Sequence, residues 1–504
     1  MSNRTLKALK GLISSYIHYG ITILLQIFLM PVVLKYAGQE TLGVYTIIMQ
    51  IIGYGILFDM GFSVALGRYL ARTYGDSKNK NAFSEVFSIG RIFLFVSNIV
   101  ISLFVILISI YFDEFIHIQS DVLFQSRYAL VMLSIWITFR SSFLMYNHGL
   151  LATQNMAIVN LIAIISNVIR LLLTVALVMM GYGIIGMIIG NIVSELGAGI
   201  AQKYFFNKKN PGYIFLWKIK DINLLKEMFQ FGIKYFGVNV SALSFMGSDS
   251  FVAGHLYGAA SASVFYITKL PSFLFFQLIF KIADNAGPAI NELISIGSWD
   301  AIRNAYFKIL RYSLLLVLPG SIGTIIFNKI IIKFWVGEYQ YAGSIMTISL
   351  AVFGITQVVN HVNALIVIGI GNLKWWSEFS IVIGIISLGL SFMLGKYFGL
   401  QFIMVALALM DVSNLIFLFK RCMSGLNISF KVIFKKAIMP AVMTTIPLIV
   451  YSAGIYKYNI LNNGDVLIYS LGTFFLFFIL WMFGLIVFGL NIIEKQRIFS
   501  KCHY

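Results

Sequence analysis

Residues 30–75 read MPVVLKYAGQETLGVYTIIMQIIGYGILFDMGFSVALGRYLARTYG. An apolar segment closes at Pro31, a polar break follows from Lys35 to Thr41, and a second apolar segment runs from Leu42 to Leu66. At about 25 residues this second segment is long enough to cross the hydrocarbon layer as a slightly tilted helix. Arg68 and Arg72 mark its end. Asp59 lies inside it; an ionised carboxylate costs about 2.5–3.5 kcal/mol at a bilayer centre and less near the edge, so it requires a partner or water.

The whole chain has the same character. Of 504 residues, 59% are hydrophobic and 11% charged, against about 25% charged in an ordinary soluble domain, and mean hydropathy is +0.89. An all-α integral membrane protein follows. The formal charge of +18 resembles that of a nucleic-acid binder, but the basic residues sit in short loops between apolar runs, where the anionic inner leaflet is their partner. Arg4, Lys7 and Lys10 precede a run too long for a signal peptide, so it reads as the first retained helix. Cys422 and Cys502 are expected on the cytoplasmic side as free thiols.

Apolar runs of transmembrane length centre near Leu24, Tyr54, Val100, Ile137, Val168, Ser194, Val240, Leu270, Leu316, Gly354, Ile386, Leu409, Thr444 and Phe475, which predicts about 14 helices. Positive charge collects after alternate runs, at Arg68 to Lys80, Lys203 to Lys226 and Lys420 to Lys436, while the opposite loops carry Asp113, Glu114 and Asp121 or almost nothing. Both termini are therefore expected in the cytoplasm. A cysteine placed at Gly464 in a cysteine-free background should react with an impermeant thiol reagent from outside, and one at Asn79 should not; reversed labelling would overturn the orientation.

A displacement of about 220 residues lays Tyr36-Ala37-Gly38 near Leu256-Tyr257-Gly258 and Val44-Tyr45 on Val264-Phe265; at about 216, Tyr182-Gly183 meets Phe398-Gly399 and Glu195 meets Asp411. Six spans separate the copies, so the halves share one orientation, related by an axis along the membrane normal. The expected plan is an N-lobe at 1–210, a cytoplasmic linker at 211–228, a C-lobe at 229–425, and two extra helices with a tail at 426–504. No loop is large enough for a soluble catalytic module.

The stretch LMPVVLKYAGQETLGVY followed by FDMGFSVALGRYLA resembles the first two helices of the bacterial oligosaccharide flippases, the O-antigen and capsule translocases of the superfamily that also holds multidrug exporters. Pro31, Gly38, Gly43 and the Asp59-Met60-Gly61 turn carry the likeness, which extends in helix count and repeat over the whole chain. The resemblance implies two pseudo-symmetric six-helix lobes in a V that open alternately to either side. It implies the bacterial cytoplasmic (inner) membrane as location. It also implies passage of an undecaprenyl-pyrophosphate-linked oligosaccharide from the inner to the outer leaflet, with the polysaccharide polymerase machinery as a candidate partner. No catalysis and no cofactor are implied; coupling to a proton or sodium gradient stays open.

Gly181-Tyr182-Gly183-Ile184-Ile185-Gly186 matches the dinucleotide pattern G-x-G-x-x-G, but no strand precedes it and no acidic ribose partner follows, so it reads as a tight interhelical turn. Gly186 and Gly190 then suit close helix packing. Six scattered histidines give no zinc spacing. Ser15, His18, Thr22 and Gln26 recur at helical spacing as a polar stripe on the first helix; the seventh carries Lys234, Ser241, Ser244 and Ser248. Interhelical hydrogen bonding competes with substrate contact as the role of these groups.

Four basic residues fall inside apolar runs: Arg140, Arg170, Lys234 and Lys269, the last two residues before Pro271. Facing lipid is too costly for the central ones. Snorkelling accounts for Lys234 as well as a cavity does, and for the others poorly. Asp59, Glu195, Asp249 and Asp411 stand against them, either as structural partners or in gating and ion coupling. Asp59 is expected to pair with a basic group near a cytoplasmic gate. Arg140, Arg170 and Lys269 are expected to receive the lipid pyrophosphate, with Lys234, His18 and Gln26 lining the path, because arginine offers phosphate a bidentate fork and lysine a compact charge. A cation-coupled drug exporter remains the alternative; a polysaccharide polymerase fits less well for want of large loops.

Overall fold

The computed structural model describes residues 3–75, 80–116, 118–211, 217–371, 374–457 and 466–489. Asn79, Gly464 and Cys502, and with them both positions of the labelling test, lie outside the described residues, as does the side chain of Ser241. The fold is all-helical. In chain order the helices are α1 Asn3–Tyr36, α2 Gly38–Gly53, α3 Phe62–Gly75, α4 Lys80–Ile110, α5 Phe112–Phe115, α6 Ser120–Ala152, α7 Met156–Met179, α8 Gly183–Lys209 and α9 Ile222–Met246. They continue as α10 Asp249–Tyr257, α11 Ala259–Ile296, α12 Trp299–Trp335, α13 Ser344–Ile370, α14 Lys374–Phe398, α15 Phe402–Leu426, α16 Phe430–Ile433, α17 Met439–Lys457 and α18 Val466–Gly484.

Among the described residues 12 helices are long and apolar enough to cross a membrane, which makes this a multi-pass membrane protein. The two expected spans missing from that set are the second, which is interrupted, and the seventh, whose helix carries Lys226, Glu227 and Lys234. The second breaks where Asp59 Oδ1 accepts a hydrogen bond from Gly61 N at 2.7 Å and the backbone turns left-handed at Met60 (φ 50°) and Gly61 (φ 76°). This is the local carboxylate-to-backbone bond that favours a turn over a helix. The seventh ends at Met246, and α10 starts three residues on, at Asp249. The first helix also differs from expectation: it continues through Pro31 to Tyr36, since proline weakens a helix without having to end it where neighbouring helices satisfy the freed carbonyl.

The glycines paired by the sequence repeat adopt paired conformations. Gly38, the first residue of α2, and Gly258, just before α11, take φ 85° and 83°, and Gly183, the first residue of α8, and Gly399, shortly before α15, also take positive φ. Gly181 at φ 88° completes the tight α7–α8 turn. Beyond it, a Cβ on Gly186 would meet Leu177 Cβ at 2.8 Å and one on Gly190 would strike Thr174 Oγ1, so these two positions let the helices approach as small residues do in bilayers.

Two compact units result: Met1–Tyr266 with Leu373–Ile403, and Ile267–Asn372 with Met404–Tyr504. In the first, Phe62, Leu66, Phe83, Phe87, Met145 and Phe206 are fully buried together. The Phe206 ring stacks on Phe87 at 5.7 Å and lies edge-on to Tyr146 at 5.9 Å. In the second, α12 packs against α13 and α17, and Trp481 Nε1 donates to the Leu315 carbonyl at 3.2 Å. Outside the spans, the Asp113 carboxyl is held below its ordinary range by a hydrogen bond from Arg127 at 2.6 Å and by the charge of that arginine.

Candidate functional site

Within the first unit, the segments α2 and α3 lie along α9, α10 and the start of α11. At one end of this seam the Gly43 Cα faces the Ala259 carbonyl with no room for a Cβ, and Gln39 Nε2 donates to the Ala260 carbonyl at 3.1 Å. At the other, Gly61 faces the Gly232 backbone, again without room for a Cβ, and Tyr69 Oη donates to Glu227 Oε1 at 2.7 Å. Between them Gln50 Nε2 donates to Asp249 Oδ1 at 2.5 Å while Gln50 Oε1 accepts from Phe251 N at 2.9 Å. One glutamine thus holds a carboxylate that is 1% exposed and satisfies an orphan amide of the first turn of α10.

The polar stripe of α1 meets two asparagines of α7. Asn160 Nδ2 donates to Ser14 Oγ at 2.8 Å and Ser15 Oγ at 3.0 Å; Asn167 Nδ2 lies 3.0 Å from Thr22 Oγ1 and 3.3 Å from His18 Nε2. Ser15, His18 and Thr22 therefore bond between helices. Gln26 Oε1 is buried without a hydrogen-bond partner. Asn191 of α8 donates to Tyr45 Oη at 2.8 Å.

The expected basic residues divide by environment. Arg140 Nη1 stands 3.5 Å from Glu195 Oε2, the same oxygen that accepts from Trp136 Nε1 at 2.8 Å, while Arg140 Nε is buried with no partner. Arg170 is half-buried in α7 and stands within electrostatic range of Tyr266, as does Asp249. No hydrogen bond or ion pair engages its guanidinium among the described residues. Lys234 is exposed. Lys269 belongs to the second unit and is 6% exposed, its ammonium 5.2 Å from the Phe273 ring centre. Asp59 has the Gly61 amide and the Ser63 side chain and backbone as partners in place of the expected base.

Glu195 and Asp411 occupy matched sequence positions in unlike surroundings. Glu195 is 41% exposed and paired with arginine. Asp411 is fully buried and held by Thr356, Gln357 and Asn360 of α13. Sequence reasoning missed these partners, as it missed Gln50 and Trp136. The spacing of Thr356, Asn360 and Asn363 at i, i+4 and i+7 in an apolar run was the available signal. The second unit also holds a cavity of about 300 Å³ lined mainly by apolar side chains, among them Pro271, Phe275, Phe327, Phe477 and Trp481; none of the expected charged residues lines it.

Residues 38–345 match the family described as polysaccharide biosynthesis protein, well over half of the chain. The chain belongs to that family. The match begins at the seam and spans α2 to the start of α13, so it includes Arg140, Arg170, Glu195 and Asp249 and leaves out Asp411 and its partners. A search of the curated proteins found no match. Among solved structures the chain is similar to a multidrug resistance MATE family transporter of the MOP superfamily in its inward-facing conformation, at 14% identity and TM-score 0.65, covering 81% of this chain and 94% of that one. An outward-facing MATE family transporter matches at TM-score 0.59 and 14% identity, over 83% and 95%. A MOP superfamily transporter from Pyrococcus furiosus, described as having a binding pocket of reversed polarity, matches at TM-score 0.57 and 15% identity, over 84% and 94%. These likenesses establish a MATE-like fold.

Proposed function

We propose that this protein is a flippase that carries an undecaprenyl-pyrophosphate-linked oligosaccharide from the cytoplasmic to the outer leaflet by alternating access, in the cytoplasmic membrane of a bacterium and with both termini inside. Arg170 carries the reading. A guanidinium half-buried in a membrane-spanning helix with no direct ion pair or hydrogen bond among the described residues has an unmet requirement for negative charge, and a pyrophosphate supplies it through a bidentate fork. Arg140, whose Nε is likewise unpartnered, provides a second positive group on α6. Its hold on Glu195 at 3.5 Å is long enough to exchange for phosphate oxygen. The family description, polysaccharide biosynthesis, supports a glycan-bearing cargo.

The test is surface-glycan export in cells lacking the native copy, with membrane abundance measured in parallel. Arg170→Ala should lower export by about tenfold or more, given that hydrogen bonds to charged groups contribute about 1.5–3 kcal/mol each. Arg170→Lys should retain part of it, and Arg170→Glu none. Full export by Arg170→Ala would remove the assignment. If export of cationic drugs were lost instead, with glycan export intact, the exporter reading would take its place.

A further inference from the structure

α4 carries one arginine, Arg91. It is half-buried, its Nε is buried with no hydrogen-bond partner, and no hydrogen bond or ion pair engages its guanidinium among the described residues. What it touches is a ring. The guanidinium carbon stands 4.1 Å from the centre of the Trp217 indole, which also meets Phe95, one turn further along α4, edge-on at 5.5 Å. Trp217 belongs to the segment between α8 and α9, and that segment is anchored. Ile219 packs against the core cluster of Phe62 and Phe206, and Asp221 Oδ1 accepts from Leu224 N at 3.0 Å to cap α9. Trp217 itself is 52% exposed.

Position along α4 decides what this pair faces. The 19 residues from Ile92 to Ile110 carry no charge; at 1.5 Å each they span about 28 Å, close to the hydrocarbon thickness of about 30 Å. Arg91 therefore stands at the boundary where lipid phosphates lie, and tryptophan favours the same boundary. We propose that Arg91 and Trp217 form a binding site for the phosphate of an anionic membrane lipid of the phosphatidylglycerol kind. Stacking on the indole fixes the plane of the guanidinium and covers one face, so its N–H edge is left for oxygen. A phosphate diester presents two oxygens, and a bidentate fork results. Lys218 and Lys220, exposed on the same segment, add about 1 kcal/mol each of attraction to an anionic surface, whereas a zwitterionic headgroup brings its own cation against them. Occupied, the site ties the segment between α8 and α9 to the membrane surface.

None of the residues assigned to cargo lies on α4, so the inference stands apart from the flippase reading. In the experiment, purified full-length protein in neutral detergent is titrated with phosphatidylglycerol or phosphatidylcholine, and bound lipid is counted per chain by native mass spectrometry. The first phosphatidylglycerol should bind about tenfold or more tightly than phosphatidylcholine, since a hydrogen bond to a charged group contributes about 1.5–3 kcal/mol. Arg91→Gln and Trp217→Leu should each abolish that preference, and Arg91→Lys should keep part of it. Lys436→Gln, which removes an equal charge from the second unit, should leave it intact. Full preference in Arg91→Gln overturns the site, and so does an equal loss in Lys436→Gln, which would mark diffuse attraction. Inorganic phosphate that competes as well as the lipid would overturn the lipid assignment and make the ligand a soluble anion. Should Arg91→Gln fail to insert, Trp217→Leu, at an exposed position outside the helices, decides alone.

Discussion

Gly43→Leu should reduce transport by about 10- to 100-fold while leaving the protein in the membrane. The Gly43 Cα lies against the Ala259 carbonyl with no space for even a methyl group, so the seam between α2 and the start of α11 closes only with glycine there. Overpacking a tight contact costs about 1–3 kcal/mol, enough to move a two-state equilibrium by about one to two orders of magnitude. The end of the seam marked by Gln39 and Ala260, bonded at 3.1 Å, should then stay open. A cysteine pair at these two positions should cross-link in an otherwise unchanged protein and fail to do so with Gly43→Leu. Gly61→Leu is the counterpart at the far end, where Tyr69 and Glu227 are bonded at 2.7 Å, and there φ of 76° adds a left-handed penalty of about 1–2 kcal/mol. Each substitution should open its own end and spare the other. Cross-linking retained at both ends with transport intact would show that the seam does not move.

Gln50→Leu should destabilise the protein by about 2–4 kcal/mol, because it removes a hydrogen bond to a buried carboxylate and leaves a backbone amide without its acceptor. Gln50 is the side chain that joins α2 to both Asp249 and the Phe251 amide, and it is placed between the two glycine contacts. Gln50→Glu should be as harmful or worse, since it sets two carboxyls against each other at a site where Asp249 is 1% exposed. Thermal unfolding in detergent measures the loss. A midpoint unchanged in Gln50→Leu would mean that Asp249 is held by its other neighbours. Because the effect falls on stability and the Gly43 effect on conformation, the two experiments separate packing from gating.

Asp59, Asp249 and Asp411 show how far intramembrane acids can be read from a chain. Their positions were legible as costly exceptions in apolar runs, and all three are buried. Their partners were not legible, for partners come from other helices or from a local turn. Asp59 bonds two residues ahead, Asp249 meets a glutamine about 200 positions away, and Asp411 is ringed by amides of α13. The basic residues behave alike. Arg140, Arg170 and Lys269 looked equivalent in sequence, yet one is paired with Glu195, one has no hydrogen bond or ion pair among the described residues, and one is buried in the second unit.

The sequence by itself determined the class, the positions of the membrane helices and the repeat. Burying backbone in lipid leaves only helices of about 20 apolar residues as a solution, and that requirement is written locally in composition. Positive φ at Gly38 and Gly258 bears out the internal match. Only the tertiary structure decided which spans are continuous. The second is split by a turn at Asp59, and the seventh, α9, is a continuous helix after which the chain restarts at Asp249; hydrogen bonds and backbone contacts from the facing segment support what a lone helix in lipid would not tolerate. The same reason governs the candidate sites: a charge is costly according to its own depth, but what it does is set by groups brought beside it from distant parts of the chain.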